Sequence, residues 1–214
     1  MVFEKEVNRP KDQRNPQQLQ FLTSAVNLQG CPEDQMTEIA IIGRSNAGKS
    51  SLINGLAKSR IAQVSSTPGK TRLLNFYQGP NYRMVDMPGY GFSARSGEEQ
   101  SSWPSMIEPF LSTRANLIGL LIVMDIRRNW SKDEEDLLDW MEPRNLPSAI
   151  VLTKGDKLNH SDLLKSAKKI EAQSGIEDII VTSALKKLGF KELDEFIYSA
   201  WIKGSVAKVT GDKS

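Results

Sequence analysis

The run Gly43-Arg44-Ser45-Asn46-Ala47-Gly48-Lys49-Ser50-Ser51 has the spacing G-x-x-x-x-G-K-S and follows directly on the apolar stretch ending at Ile42. Gly43 and Gly48 let the backbone turn so that consecutive N–H groups converge on an anion. A helix starting at Lys49 adds the positive end of its dipole. In that setting Lys49 reaches the β and γ oxygens of a polyphosphate, and the Ser50 hydroxyl is placed to ligate Mg²⁺. The plainer reading is a loop that happens to contain a lysine. With ordinary glycine usage, about one chain in a hundred of this size carries the pattern by accident, and far fewer with a strand before it and a helix after it.

Thr153-Lys154-Gly155-Asp156 closes another apolar run, and Thr182-Ser183-Ala184 follows a third. A carboxylate at Asp156 can accept from both N1–H and N2–H₂ of guanine. Adenine offers no such pair and would leave the acceptor unsatisfied. The Lys154 stem can lie along the base, and a backbone N–H near Ala184 can meet guanine O6. Alone, a lysine and an aspartate after a strand are solvated loop residues; in this order behind a phosphate loop they imply GTP and GDP as ligands.

Asp86-Met87-Pro88-Gly89 follows a further apolar run, so Asp86 can hold the Mg²⁺ hydration shell while the Gly89 N–H reaches the γ phosphate. Between the first helix and the second strand, Val64 to Arg72 is polar and punctuated by Pro68, Gly69 and Lys70. Such a loop can order around a γ phosphate. Thr71 is the expected second Mg²⁺ ligand, with Thr67 the competing hydroxyl. Asn46 has two readings, a ligand to K⁺ beside the phosphates or a residue that suits a strained turn. Lys49, Asn46 and Gly89 are thus the catalytic candidates. The place of a water-orienting glutamine is held by Tyr90, so slow turnover is expected. Tyr90 and Phe92 either await a partner or pack on a neighbouring helix.

These loops need a rigid frame. Apolar runs at 38–42, 73–77, 82–86, 117–125, 149–153 and 179–182 read as strands, and helical patterns fall at 49–58, 98–114, 132–141, 162–173 and 190–202. Alternation of this kind predicts a three-layer α/β P-loop NTPase fold. Its sheet would be mostly parallel and six-stranded, with helices on both faces and one antiparallel edge strand from the hairpin at Gln78-Gly79-Pro80-Asn81. The expected organisation is an N-terminal extension over 1–36, a G domain over 37–203 and a polar tail over 204–214. Leu19, Phe21, Leu22 and Val26 predict a helix within Asn15 to Leu28, packed on the domain.

The 214 residues, 39% hydrophobic and 25% charged, are those of one ordinary domain. The longest apolar run, Leu117 to Met124, falls far short of the roughly 20 residues that cross a bilayer, and the first residues lack a signal-peptide core. A cytoplasmic protein with no membrane partner is expected. The one cysteine, Cys31, makes neither a disulfide nor a metal site. A net charge of +2 does not by itself predict nucleic-acid binding. Lys186, Lys187 and Lys191 could touch RNA phosphates, though a solvated basic face is the plainer reading of each. No heptads appear, so a monomer is expected.

From about Leu19 to Trp201 the chain resembles the EngB family of bacterial GTPases, also called YihA or YsxC. The resemblance is carried by the phosphate-loop run extended to Leu52-Ile53-Asn54, by Thr67-Pro68-Gly69-Lys70-Thr71, by Asp86-Met87-Pro88-Gly89-Tyr90-Gly91 and by Leu152-Thr153-Lys154. It implies a Mg²⁺-dependent GTPase that assists assembly of the large ribosomal subunit, with rRNA and ribosomal proteins as partners. It also implies a link to cell division and septation, and Thr71 as the switch threonine on the metal. K⁺ in place of an arginine finger belongs to similar GTPases. Gly155 departs from the alanine usual in the family and predicts a looser base loop. The rival readings are a metabolic P-loop enzyme such as a kinase, in which Asp156 would have no purpose, and an interaction module that acts on division proteins with negligible turnover.

Overall fold

The computed structural model describes residues 18–63, 73–89, 107–141 and 144–203, with Trp140 described by its backbone alone. Seven strands form one sheet: β1 Gln20–Ala25, β2 Glu38–Ile42, β3 Leu74–Gln78, β4 Arg83–Asp86, β5 Leu117–Asp125, β6 Ser148–Thr153 and β7 Ile179–Val181. The helices are α1 Lys49–Ala57, α2 at 107–113, α3 Lys132–Met141, α4 His160–Ser174 and α5 Phe190–Phe196, the last widening into a π-helical segment, Ile197–Ile202. Strand order is β1-β3-β4-β2-β5-β6-β7. β3 pairs antiparallel with both β1 and β4, and the remaining pairs are parallel.

Alternation along the central strands explains the three layers. Ile39, Ile41, Leu121, Val123, Ala149 and Val151 share one face with α1 and α5, while Ala40, Ile42, Leu120, Ile122, Ile150 and Leu152 share the other with α2, α3 and α4. Strands buried on both faces need the continuous apolar runs seen in the sequence. From β2 the chain passes through α1 to the β3–β4 side, and from β4 it crosses back to β5. The direction of winding therefore changes at β2, which opens a crevice at its C-terminal end.

Three expectations are corrected. The helix expected within Asn15 to Leu28 is instead, over its described part, the edge strand β1. The sheet therefore has seven strands rather than six, and the antiparallel strand β3 lies one place in from the edge. The apolar spacing misled because the β1–β3 register shifts between Phe21 and Thr23. That bulge leaves Phe21 and Leu22 both outward-facing and breaks the two-residue period. The C-terminal helix also departs from a regular α-helix after Phe196. The wider turn places Trp201 over Gly119 of β5, where a Cβ would come within 2.6 Å of the indole ring.

At the opposite end of the strands from the crevice, Glu38 and Arg83 are buried and paired at 3.0 Å, and Arg114 donates to both Glu38 carboxylate oxygens at 2.8 Å. Asp34 completes the cluster at 2.7 Å from Arg83. These charges fix the N-terminal ends of β2 and β4 and the entry to β5, far from the loops that carry the chemistry.

Candidate functional site

The phosphate loop lies between β2 and α1, pressed close to the neighbouring strand. A Cβ at Gly43 would come within 2.4 Å of the Val123 carbonyl, so the loop leaves β2 pressed against β5. Asn46 has φ 63 and Gly48 has φ 107, the left-handed conformations that return the chain to the start of α1. No acid lies in the first turn of α1, whose positive end is open to an anion. Ser45 and Asn46 are exposed at the loop crest, while Ala47 is buried beneath it. Arg44 turns away, pairing with Asp133 at 3.1 Å and donating to Ser131 at the start of α3.

Lys49 donates to the Gly43 carbonyl across the loop at 3.4 Å, and its ammonium is 3.9 Å from Asp86 Oδ1. Asp86, at the end of β4, is 5% exposed, and Oδ1 has no hydrogen-bond partner. Burial pushes this carboxyl up to about 6, with Lys49 pulling the other way. A buried carboxylate oxygen left without a donor is costly unless something charged answers it. With the Ser50 hydroxyl next to Lys49, the donor set of two hard oxygens fits Mg²⁺. Among the described residues no group of three or more His, Cys, Asp or Glu converges, so a cation here would also draw on phosphate oxygens and water. Met87 is fully buried in the core, and its N–H bonds the Ile41 carbonyl at 3.0 Å. Met87 and the buried Pro88 therefore carry the chain to Gly89 as a strut. A Cβ on Gly89 would lie 3.1 Å from Ser45 N and 3.2 Å from Gly43 O, so this segment rests on the phosphate loop.

The base side is built from the ends of β6 and β7. Thr153 is buried and its hydroxyl bonds the Ala47 and Met124 carbonyls, locking β6 to the phosphate loop. Lys154, at φ 60, donates to the Asn46 carbonyl and to Asp125, each at 2.9 Å. Burial alone would raise the Asp125 carboxyl, but hydrogen bonds from Arg127 and Lys154 outweigh it and hold it well below the usual carboxylate range. Asp156 accepts from the Ser183 hydroxyl, which lowers its pKa, and Lys157 stands 3.6 Å away. The Gly155 N–H bonds the Thr182 carbonyl at 3.0 Å, and a Cβ on Gly155 would lie 2.8 Å from Val181 Cγ1. Glycine here gives a close fit between the two loops, contrary to the looseness expected of it. A cleft of about 190 Å³ joins Gly48, Thr153, Lys154, Asp156, Thr182 and Ala184. One ligand can thus touch the phosphate loop and the base loops together.

Gly69, Lys70, Thr71, Thr67, Tyr90 and Phe92 lie outside the described residues. The structure brings together the other expected positions, from Gly43 to Ser51, Asp86 to Gly89, Thr153 to Asp156 and Thr182 to Ala184. Three contributors were missed. Asp125 anchors Lys154; Asn54 of α1 holds the chain after the helix through the Ile61 and Ala62 N–H groups at 2.8 and 2.7 Å; Asp133 holds Arg44. The aspartate ending the long run 117–125 was a visible signal for the first. For Asn54 the signal was its place in the run that carries the family resemblance, and for Asp133 nothing in local spacing distinguishes it from a solvated residue.

A family model described as 50S ribosome-binding GTPase matches residues 38–154. The probable GTP-binding protein EngB of Bdellovibrio bacteriovorus is 53% identical over 189 residues, covering 88% of this chain and 94% of that protein. A crystal structure of a probable GTP-binding protein EngB superposes with a TM-score of 0.62 over 76% of this chain and 97% of that one, at 21% identity, a likeness of fold. Era in complex with MgGDPNP and nucleotides 1506–1542 of 16S ribosomal RNA is 26% identical with a TM-score of 0.63, over 78% of this chain and 57% of Era.

Proposed function

The chain belongs to the EngB family of GTP-binding proteins, and on that footing we propose that it is a slow GTPase working as a switch in assembly of the large ribosomal subunit. The proposed setting is the cytoplasm, as a monomer, with a consequent link to cell division and septation. Among the described residues no helix is long and apolar enough to cross a membrane. Partner choice is supported by the ribosome-binding description of the matching family.

The observation that carries the switch is the placement of Asp86. Its buried oxygen, which accepts no hydrogen bond, begins a segment that ends with Gly89 resting on the phosphate loop, so what fills the γ-phosphate position is felt along one short strut. The nucleotide set is Gly43, Arg44, Ser45, Asn46, Ala47, Gly48, Lys49, Ser50 and Ser51 for the phosphates, with Arg44 acting through the loop backbone. Asp86 to Gly89 lie on the γ side, and Thr153, Lys154, Gly155, Asp156, Thr182, Ser183 and Ala184 on the base. Gly69, Lys70 and Thr71 complete it by sequence. Ser50 and Asp86, with Thr71 or Thr67, would hold Mg²⁺, which when bound supplies divalent charge against the phosphate oxygens. Asn46 is the residue proposed to face K⁺.

Hydrolysis transfers the γ phosphoryl group to water and leaves GDP and phosphate. Lys49 offsets the charge that builds on the β–γ bridge, the Gly89 N–H is placed to donate to a γ oxygen, and no glutamine stands at Tyr90 to orient the water. The absent glutamine also favours a second reading, a nucleotide-binding module acting directly on division proteins. Co-sedimentation with large subunits in GDP and in a non-hydrolysable GTP analogue tests the main reading. Binding that prefers the analogue supports it. Equal or absent binding in both states, together with no single-turnover hydrolysis, moves the assignment to the module.

A further inference from the structure

Beside the base cleft a larger groove, of about 890 Å³, runs between α1 and α5 and shares Ser51 and Ala184 with it as a common wall. Its charges are unbalanced. Lys58, Arg60 and Lys187 line it, and among the described residues none of their side chains has an acidic partner. Lys191 has only an exposed pair with Glu195 at 3.3 Å, one turn along α5. The one acid in the lining, Asp194, is exposed, and the lining cations outnumber it. The cations are presented by stiff backbone. Lys58 caps α1 at φ 50, with its N–H bonded to the Asn54 and Gly55 carbonyls. Lys187, at φ 54, sits in a loop closed by two hydrogen bonds between Ser183 and Leu188. At the floor, the Phe190 ring lies so close to Gly55 that a Cβ there would come within 2.0 Å of it.

We infer that this groove holds a single-stranded segment of RNA, its phosphates on Lys58, Arg60 and Lys187 and one base against the exposed part of Phe190. The volume suits a nucleotide unit, and an aromatic ring among exposed cations is the pattern by which single strands are held without regard to sequence. The choice of RNA over an acidic protein segment rests on the ribosomal reading above. Because Lys187 and Ser183 share one loop, RNA in the groove contacts the segment that orients Asp156. Groove and nucleotide are then linked, and each changes the affinity of the other by the same factor.

The test is fluorescence anisotropy of a labelled, mixed-sequence oligoribonucleotide of about 12 nucleotides on the full chain loaded with GDP, at several salt concentrations. Lys58→Glu and Lys187→Glu are expected to weaken binding about tenfold, and replacing one phosphate contact to flatten the slope of log affinity against log salt by about 0.7. Lys168→Glu, the same charge change on α4 across the sheet, should leave both unchanged. Unaltered GDP affinity in each variant shows that it is folded. Three results overturn the inference: no binding by the parent chain, equal weakening by Lys168→Glu, or capture of poly-glutamate that is lost in the groove variants. If the groove variants lose the oligonucleotide but still sediment with large subunits as the parent does, the groove is not the subunit contact. If the parent chain fails to sediment at all, the functional reading fails, and the oligonucleotide titration still decides the groove.

Discussion

Asp156 and Asp86 are both carboxylates at strand ends, and their surroundings set them opposite tasks. Asp156 is held ionised by the Ser183 hydroxyl and pointed at the base cleft. Asp156→Asn replaces an acceptor by a donor, so GDP should bind at least about tenfold more weakly while xanthosine diphosphate, with an oxygen at the 2 position, gains. Titration of both nucleotides checks this, and unchanged GDP affinity would contradict it. Asp86 is raised by burial from 3.8 to about 6. The folded chain therefore holds this proton more tightly than the unfolded one. Its contribution to stability is full below 3.8, declines as pH rises to about 6, and costs about 3 kcal/mol above that. Asp86→Asn should thus raise the melting temperature of nucleotide-free protein at pH 7 and abolish the tightening of GDP binding by Mg²⁺; in the parent chain that tightening should fade as pH drops through about 6. A variant less stable than the parent, with Mg²⁺ dependence intact, would contradict both points. The residue types and order made these two aspartates legible, along with the phosphate loop. Asp125 was not, because its role is to position Lys154, and such a partner shows only once β5 and β6 are side by side.

Long apolar runs made the central strands legible, since β2 and β5 have the bounds expected of them and α3 does as well. What failed was the edge. β1 gains its identity from pairing with β3, 49 to 58 residues away, and contains a bulge, so no local period could reveal it. The sharp end of α1 depends on Lys58 adopting a left-handed conformation that spacing does not announce. The Glu38 cluster was equally hidden, because its charges come from four segments that read separately as surface residues. Glu38→Ala leaves Arg83 buried without its main counter-charge and should cost about 3–5 kcal/mol of stability. Thermal unfolding measures that loss, and GDP affinity of the folded fraction should stay near the parent value because the cluster lies at the far end of the strands. A cost below 1 kcal/mol would mean that the remaining acid, Asp34, suffices.

The whole molecule combines a rigid frame with a site whose pieces come from five strand ends and both helix layers. Thr153, Lys154 and the Gly155–Thr182 bond tie phosphate loop and base loops into one body, while the strut from Asp86 to Gly89 connects that body to the segments that follow. A partner that reads the strut must favour one nucleotide state, and reciprocity requires the partner to shift nucleotide affinity by the same factor. The most direct test is therefore the affinity of a fluorescent non-hydrolysable GTP analogue and of fluorescent GDP, each with and without saturating large ribosomal subunits. The account predicts that subunits tighten the analogue at least about fivefold more than GDP, a coupling of about 1 kcal/mol. Tightening of the two nucleotides by the same factor, or of neither, when subunits are added would contradict it.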